Sequence, residues 1–328
     1  MNKIDVLSKI SPDMKAALDK DNYLAGDAND TSVGYEKMRE NYTKSREYWI
    51  EGGPQLKTED IEIPTEFGSI EARVFYPEDA QADAKLPLIV YSHGGGYVLG
   101  NYVTHSRMSR ILAQNSKSVV VSLNYSLSPE AKFPQAVVEI ANACEYLAEH
   151  AQDFGVDKDR IAFAGDSGGA NLSAGAFFYL RDKEREVFKS VRALLLFYGW
   201  FGLKDSASQR LLGGPWDGLT EADWKFYKEL YSKDVKDLEE SPYANILLND
   251  MSHDVPAMYI ASAEYDPLVD DSKALAAVCR EYEIPHKYEM FEGLIHAFLH
   301  YTKQLPEANL ALEHASEFFR EVLETEGK

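Results

Sequence analysis

Arg160-Ile161-Ala162-Phe163-Ala164-Gly165-Asp166-Ser167-Gly168-Gly169-Ala170-Asn171-Leu172-Ser173-Ala174 is the stretch whose reading decides the fold. Ile161 to Ala164 is an apolar run of strand length, and from Ala170 the small residues take helical spacing. Between them, Gly165-x-Ser167-x-Gly169 has to turn the chain sharply. G-x-S-x-G between a strand and a helix makes an elbow that lifts the serine hydroxyl beyond the sheet, at the positive end of the helix. The glycines have a steric task, because strand and helix pass close together and the serine holds a strained backbone. The plainer alternative is a tight turn whose serine caps the helix. A base, an acid and an anion site elsewhere in the chain would decide between the two.

On either side of the elbow lie further continuous apolar runs. They are Leu88–Tyr91, Val119–Leu123, Ala193–Phe197 and Ala257–Ala261, each separated from the next by room for a helix. Such runs are parallel strands buried on both faces. Ile61–Ile63 and Ile70–Phe75 alternate instead, around Glu66-Phe67-Gly68-Ser69, and read as a half-exposed antiparallel hairpin. His286–Phe291 supplies a last strand. The count is eight strands, with crossover helices near 103–115, 134–150, 168–183, 270–283 and 304–325. This is an α/β fold with a mostly parallel sheet and helices on both faces.

Residues 1–55 precede the sheet and read as cap helices: one starts at Ser11-Pro12, another spans Ser32–Trp49. Residues 200–250, after the sixth strand, exceed what a crossover needs and read as a lid or pocket wall. Within them a helix opens at Thr220, with Asp223 as its capping-box partner. Pro77–Lys85 reads as a surface loop, and the whole of 1–328 as one catalytic domain.

Composition narrows the function. The chain has 328 residues, 45% of them hydrophobic, which is enough for a large core. A net charge of −20 without a Lys/Arg cluster argues against nucleic acid and anionic membrane surfaces. The two cysteines, Cys144 and Cys279, sit in helical patterns, so neither a disulfide framework nor a zinc site is expected. Met1–Lys15 has no apolar core of signal-peptide length, and Ala193–Leu203 is too short to span a bilayer. The chain reads as a soluble cytoplasmic protein.

The remaining chemistry lies in three loops. Tyr91-Ser92-His93-Gly94-Gly95-Gly96-Tyr97 follows the third strand. Three successive glycines are entropically costly unless backbone must approach something. With an elbow serine, Gly94, Gly95 and Gly168 would donate the N–H groups of an oxyanion hole, with His93 and Gly96 supporting the loop. A phosphate loop is the competing reading, but G-x-x-x-x-G-K-[ST] is absent. For the base, His296 lies just past the last strand, with His300 as its nearest rival. The pair's spacing resembles a metal motif, yet Ala297 stands where H-E-x-x-H needs glutamate. For the acid, Asp266 ends the seventh strand, ahead of Asp270, which with Asp271 reads as a helix N-terminal acid.

Together these loops resemble the bacterial acetyl esterases of the hormone-sensitive lipase-like family over nearly the whole chain. The resemblance rests on His93–Gly96, Asn124–Glu130 with Phe133-Pro134, Gly165-Asp166-Ser167, Asp266–Asp270, His296-Ala297-Phe298 and Leu211–Thr220. Gly168 stands where that family usually has alanine, and Ser128 where alanine is common. The resemblance implies an α/β-hydrolase fold with an N-terminal helical cap. It also implies a Ser167, Asp266, His296 triad and hydrolysis of short acyl esters without cofactor or metal.

Tyr97, Trp200, Phe201 and Trp216 are bulky enough to narrow an acyl pocket to acetyl through hexanoyl groups, or simply to pack a cap core. The expected partner is a small-molecule ester. An amidase or peptidase on the same scaffold, a regulatory protein-binding role and a homodimer stay open. A chymotrypsin-like protease does not fit, because Ser167 precedes its Asp and His.

Overall fold

The computed structural model describes residues 3–25, 31–78 and 85–326; residues 26–30 of the expected cap and 79–84 of the expected surface loop lie outside them. Helix α1 (Pro12–Ala25) begins at its proline, with Ser11 Oγ accepting the Met14 amide at 3.1 Å. Helix α2 (Tyr35–Ile50) buries Met38, Arg46 and Trp49. The sheet then starts with the hairpin β1 (Lys57–Thr65) and β2 (Gly68–Tyr76). Next come β3 (Leu86–Ser92), α3 (Ser106–Ser116), β4 (Val119–Asn124), α4 (Gln135–Glu149), β5 (Val156–Asp166) and α5 (Gly168–Asp182). After β6 (Val191–Phe197), a long excursion carries α6 (Ala207–Leu211), α7 (Glu221–Tyr231) and α8 (Val235–Glu240). β7 (Ala257–Ala263), α9 (Val269–Glu281), β8 (His286–Phe291) and α10 (Pro306–Glu326) complete the chain.

The eight strands form one sheet in the order β1-β2-β4-β3-β5-β6-β7-β8. β2 runs antiparallel to both its neighbours, and all other pairs are parallel. Successive side chains on a strand point to opposite faces, so each central strand feeds two cores. Leu88, Val90, Ile161, Phe163, Leu194 and Leu196 pack on the face covered by α4 and α5. Ile89, Tyr91, Ala162, Ala164, Leu195 and Phe197 pack on the face covered by α1, α3 and α10. Every residue of β7 is buried, whereas β1 is largely exposed.

The register explains why distant segments meet. Ser92 pairs with Gly165, Asp166 with Phe197, Phe197 with Ala261, and Ala263 with Phe291. The carboxyl ends of β3, β5, β6, β7 and β8 therefore finish along one edge. The loops that carry His93, Ser167, Asp266 and His296 all leave from that edge, as ligand sites in open parallel sheets do.

Candidate active site

The elbow has the expected steric logic. Ser167 sits at φ 52°, a left-handed value that few residues with a side chain adopt. A Cβ on Gly169 would lie 2.0 Å from the carbonyl oxygen of Ser92, and one on Gly165 would lie 2.4 Å from that of Gly169. Both obstacles are backbone, so neither can step aside. Ser167 N–H donates to Phe197 O at 2.9 Å, which fixes the turn to the neighbouring strand.

This turn holds Ser167 Oγ 2.8 Å from His296 Nε2. On the other side of the ring, His296 Nδ1 is 2.8 Å from Asp266 Oδ2. Asp266 is fully buried, and its Oδ1 accepts the Leu268 amide at 2.7 Å. A carboxylate at Nδ1 keeps the proton there, which leaves Nε2 free to accept the one on the serine. Burial alone would depress the proton affinity of His296. Asp266 outweighs it, with help from Asp217 and Asp166, and the net shift is upward. His300 is not brought to the serine: its Nε2 shares a 2.9 Å hydrogen bond with the Tyr42 hydroxyl, and burial presses its proton affinity far down.

The glycine loop lies against the elbow, but with one correction to the sequence reading. Gly94 N–H is spent on Asp166 Oδ1 at 2.9 Å, so it cannot meet an oxyanion. The amides of Gly95 and Gly96 donate to no acceptor among the described residues. Gly168 N–H, the first amide of α5, belongs to the group that a helix leaves without an internal acceptor. A Cβ on Gly168 would stand 3.4 Å from the Gly96 nitrogen, so these amides converge and nothing there demands glycine. His93 is buried, with Nδ1 2.9 Å from Gly94 O and its ring stacked on Tyr125 at 4.3 Å. Burial and the neighbouring His105 push its pKa down to about 3, so it is a neutral brace.

A family model described as alpha/beta hydrolase fold matches residues 89–300, which span all of these groups. The chain belongs to the alpha/beta hydrolase fold family, in its hormone-sensitive lipase-like branch. It resembles an esterase from the archaeon Pyrobaculum calidifontis at 31% identity and a TM-score of 0.86, covering 96% of this chain and 99% of that one. A thermophilic carboxylesterase cloned from a metagenomic library is also 31% identical, with a TM-score of 0.81 and 89% and 98% coverage. A thermostable esterase from Pseudomonas putida is 25% identical, with a TM-score of 0.85 and 95% and 97% coverage.

In this α/β-hydrolase the serine and imidazole open into a cavity of about 110 Å³. Tyr97, Trp200 and Trp216 line it as expected, joined by Leu219, Trp224 and Tyr227. Phe201 does not: it is fully buried behind the wall, with its ring against Gly199. Asp217, unforeseen in the sequence, also lines the cavity. It accepts the Gly214 and Leu219 amides, and burial pushes its pKa up to about 6.

The wall is tethered by residues read as helix-dipole acids. Asp271 Oδ1 accepts the amides of Phe201, Gly202 and Leu203 at 2.9, 3.0 and 3.0 Å. Asp270 Oδ2 accepts Ser208 N–H at 2.9 Å. Thr220 and Asp223 form the predicted capping box. His105, Asp166 and His300 bring metal-type ligand atoms within 4.8 Å of one another. Asp166 is already held there by Tyr91, Gly94 and Tyr198 hydrogen bonds. Cys144 and Cys279 are buried and unbridged, and among the described residues no helix is long and apolar enough to cross a membrane.

Proposed function

We propose that this α/β-hydrolase is a serine carboxylesterase acting on short-chain acyl esters. The observation that carries the reading is the continuous relay Ser167–His296–Asp266, with both links at 2.8 Å. Ser167 attacks the ester carbonyl while His296 takes its proton, and Asp266 stabilises the imidazolium that forms. The amides of Gly95, Gly96 and Gly168 receive the developing negative charge. Each such donor is worth about 10²–10³ in rate, because it is held in place before the reaction begins. His296 then protonates the leaving alcohol, and water repeats the attack on the acyl-enzyme with His296 again as base.

The esterases and carboxylesterase that this chain resembles support ester over other acyl substrates. In our reading, residues 1–55 and 200–250 cap the sheet edge, and the wall of Trp200, Leu219 and Trp224 sets an upper limit near six acyl carbons. The test is a 4-nitrophenyl ester series from acetate to decanoate, with Ser167→Ala beside it. The reading expects a rate peak between acetate and hexanoate, and loss of turnover in the variant. A peak at decanoate refutes the size limit, and a fully active Ser167→Ala refutes the mechanism.

A further inference from the structure

Part of the cavity lining is polar and takes no part in the relay; it forms a polar wing of the cavity. Its lining includes Asp21, Tyr42, Arg46, His300 and Tyr301. Among these is Arg46, whose side chain is 6% exposed. Nη2 donates to Asp21 Oδ1, and Nε donates to Ser45 Oγ at 3.1 Å. Asp21 is itself satisfied, accepting Trp49 Nε1 at 2.7 Å and the Tyr301 hydroxyl at 3.3 Å. Nη1 is different. It donates to no acceptor among the described residues, and it is not among the buried polar atoms left without a partner. One arm of a nearly buried fork thus remains open on the wall of the catalytic cavity.

Asp21, the Ser45 hydroxyl and the Tyr42 ring, 5.4 Å from the guanidinium carbon, occupy the rest of the fork, and a lysine ammonium, a point charge without a planar fork, would leave no second arm to offer. The open arm calls for an acceptor. Its position names the half of the substrate, given the esterase reading on which this inference rests. His300 and Tyr301 continue the His296 loop, and His296 delivers its proton to the departing alcohol. We therefore assign the wing to the alcohol half of the substrate. Charge names the chemistry. Asp21 already neutralises Arg46, and Asp217 shares the cavity, so a carboxylate gains little here. A neutral oxygen, such as an ether, hydroxyl or carbonyl, gains a hydrogen bond from a cationic donor.

We propose that Arg46 is a substrate-binding residue whose Nη1 hydrogen-bonds a neutral acceptor oxygen carried by the alcohol half of the ester. The natural substrate would then be the ester of an oxygen-rich alcohol, such as a polyol or a sugar, rather than of a plain alkanol.

The test compares 2-methoxyethyl acetate with butyl acetate, which has the same chain length but a methylene in place of the ether oxygen. Acid release by the full-length protein is followed by pH-stat, together with 3-acetoxypropionate. A hydrogen bond to a charged donor predicts a kcat/KM about tenfold higher for the ether ester. Arg46→Lys, which keeps the charge beside Asp21, should bring that ratio close to one, with unaltered melting as the check on folding. No preference in the wild type, a preference that survives Arg46→Lys, an equal loss on both esters, or a clear preference for 3-acetoxypropionate would each overturn the proposal. Failure to hydrolyse any of the three esters would instead bring down the esterase reading itself.

Discussion

The elbow at Gly165–Gly169 and the wall at residues 200–220 both contribute to the lining of one cavity, yet they hold their shape in different ways. The elbow is held by contact distances. Backbone blocks any Cβ at Gly165 and Gly169, and Ser167 holds a left-handed φ of 52° between them. The wall is held by tethers, since three of its amides converge on Asp271 from a helix some seventy residues away. In the proposed mechanism, sterics positions the reacting atoms finely, because a blocked backbone has little alternative. Hydrogen-bond tethers position the surface that we propose sorts substrates, and such a surface can change without disturbing the chemistry. Substitutions at the elbow should therefore affect every ester alike, whereas substitutions in the wall should alter the ranking among esters.

His296→Ala is the sharpest way to break this contrast. It should reduce kcat/KM about 10³–10⁴-fold on acetate and hexanoate equally, since general base catalysis is lost for all substrates. Unequal losses would mean that His296 also sorts substrates. Next in size is Gly169→Ala, which forces a Cβ to 2.0 Å from Ser92 O. Overpacking against immovable backbone should cost about 3 kcal/mol or more, visible as a lower urea midpoint. An unchanged midpoint would show that the elbow is looser than its geometry implies.

On the wall, Asp271→Ala should cost about 2 kcal/mol, because it orphans three amides. Asp271→Asn should be far milder, since its carbonyl can still accept them and its amide replaces an oxygen that has no partner. A pH dependence separates the two further. Burial raises the Asp271 carboxyl to about 7. The unfolded chain has it at about 3.9. The folded wild type thus holds an extra proton between these values and loses stability as pH rises through that window. Asp271→Asn lacks the titration, so its melting temperature relative to wild type should rise between pH 4 and pH 7. A flat or falling difference would contradict the tether's buried charge.

Trp200→Ala should have the smallest effect on the chemistry and the clearest effect on ranking. The octanoate-to-acetate ratio should rise at least about tenfold, the value of a single accommodated methylene. An unchanged ratio would remove Trp200 from the specificity surface. Across all wall variants, the acid limb of kcat/KM should stay above the ordinary imidazole value of about 6.5, because the carboxylates around His296 raise its proton affinity. A limb at or below that value would contradict the relay.

The contrast also explains what was legible in the sequence. Continuous apolar runs announced the parallel sheet, since strands covered on both faces have nothing polar to show. Gly165-x-Ser167-x-Gly169 announced the turn, because its constraint is local. What failed to show depended on distant partners. Gly94 looked like an oxyanion donor because its spacing does not reveal that Asp166 consumes its amide. Asp271 looked like a dipole acid because nothing near it in the chain points to Phe201. Phe201 itself looked like a pocket residue, whereas that tether draws its backbone behind the wall. Asp217 lies in the Leu211–Thr220 stretch of the resemblance, but its place in the cavity lining gave no signal, since its neighbours Gly214 and Leu219 matter only once the loop has closed.

The central claim is that Ser167 is the nucleophile of a working relay, and a covalent probe tests it most directly. After treatment with a fluorophosphonate and peptide mass mapping, the account predicts one adduct, on Ser167. It should be absent in Ser167→Ala and formed far more slowly in His296→Ala. An adduct on another residue, or labelling of the wild type that persists in Ser167→Ala, would contradict it.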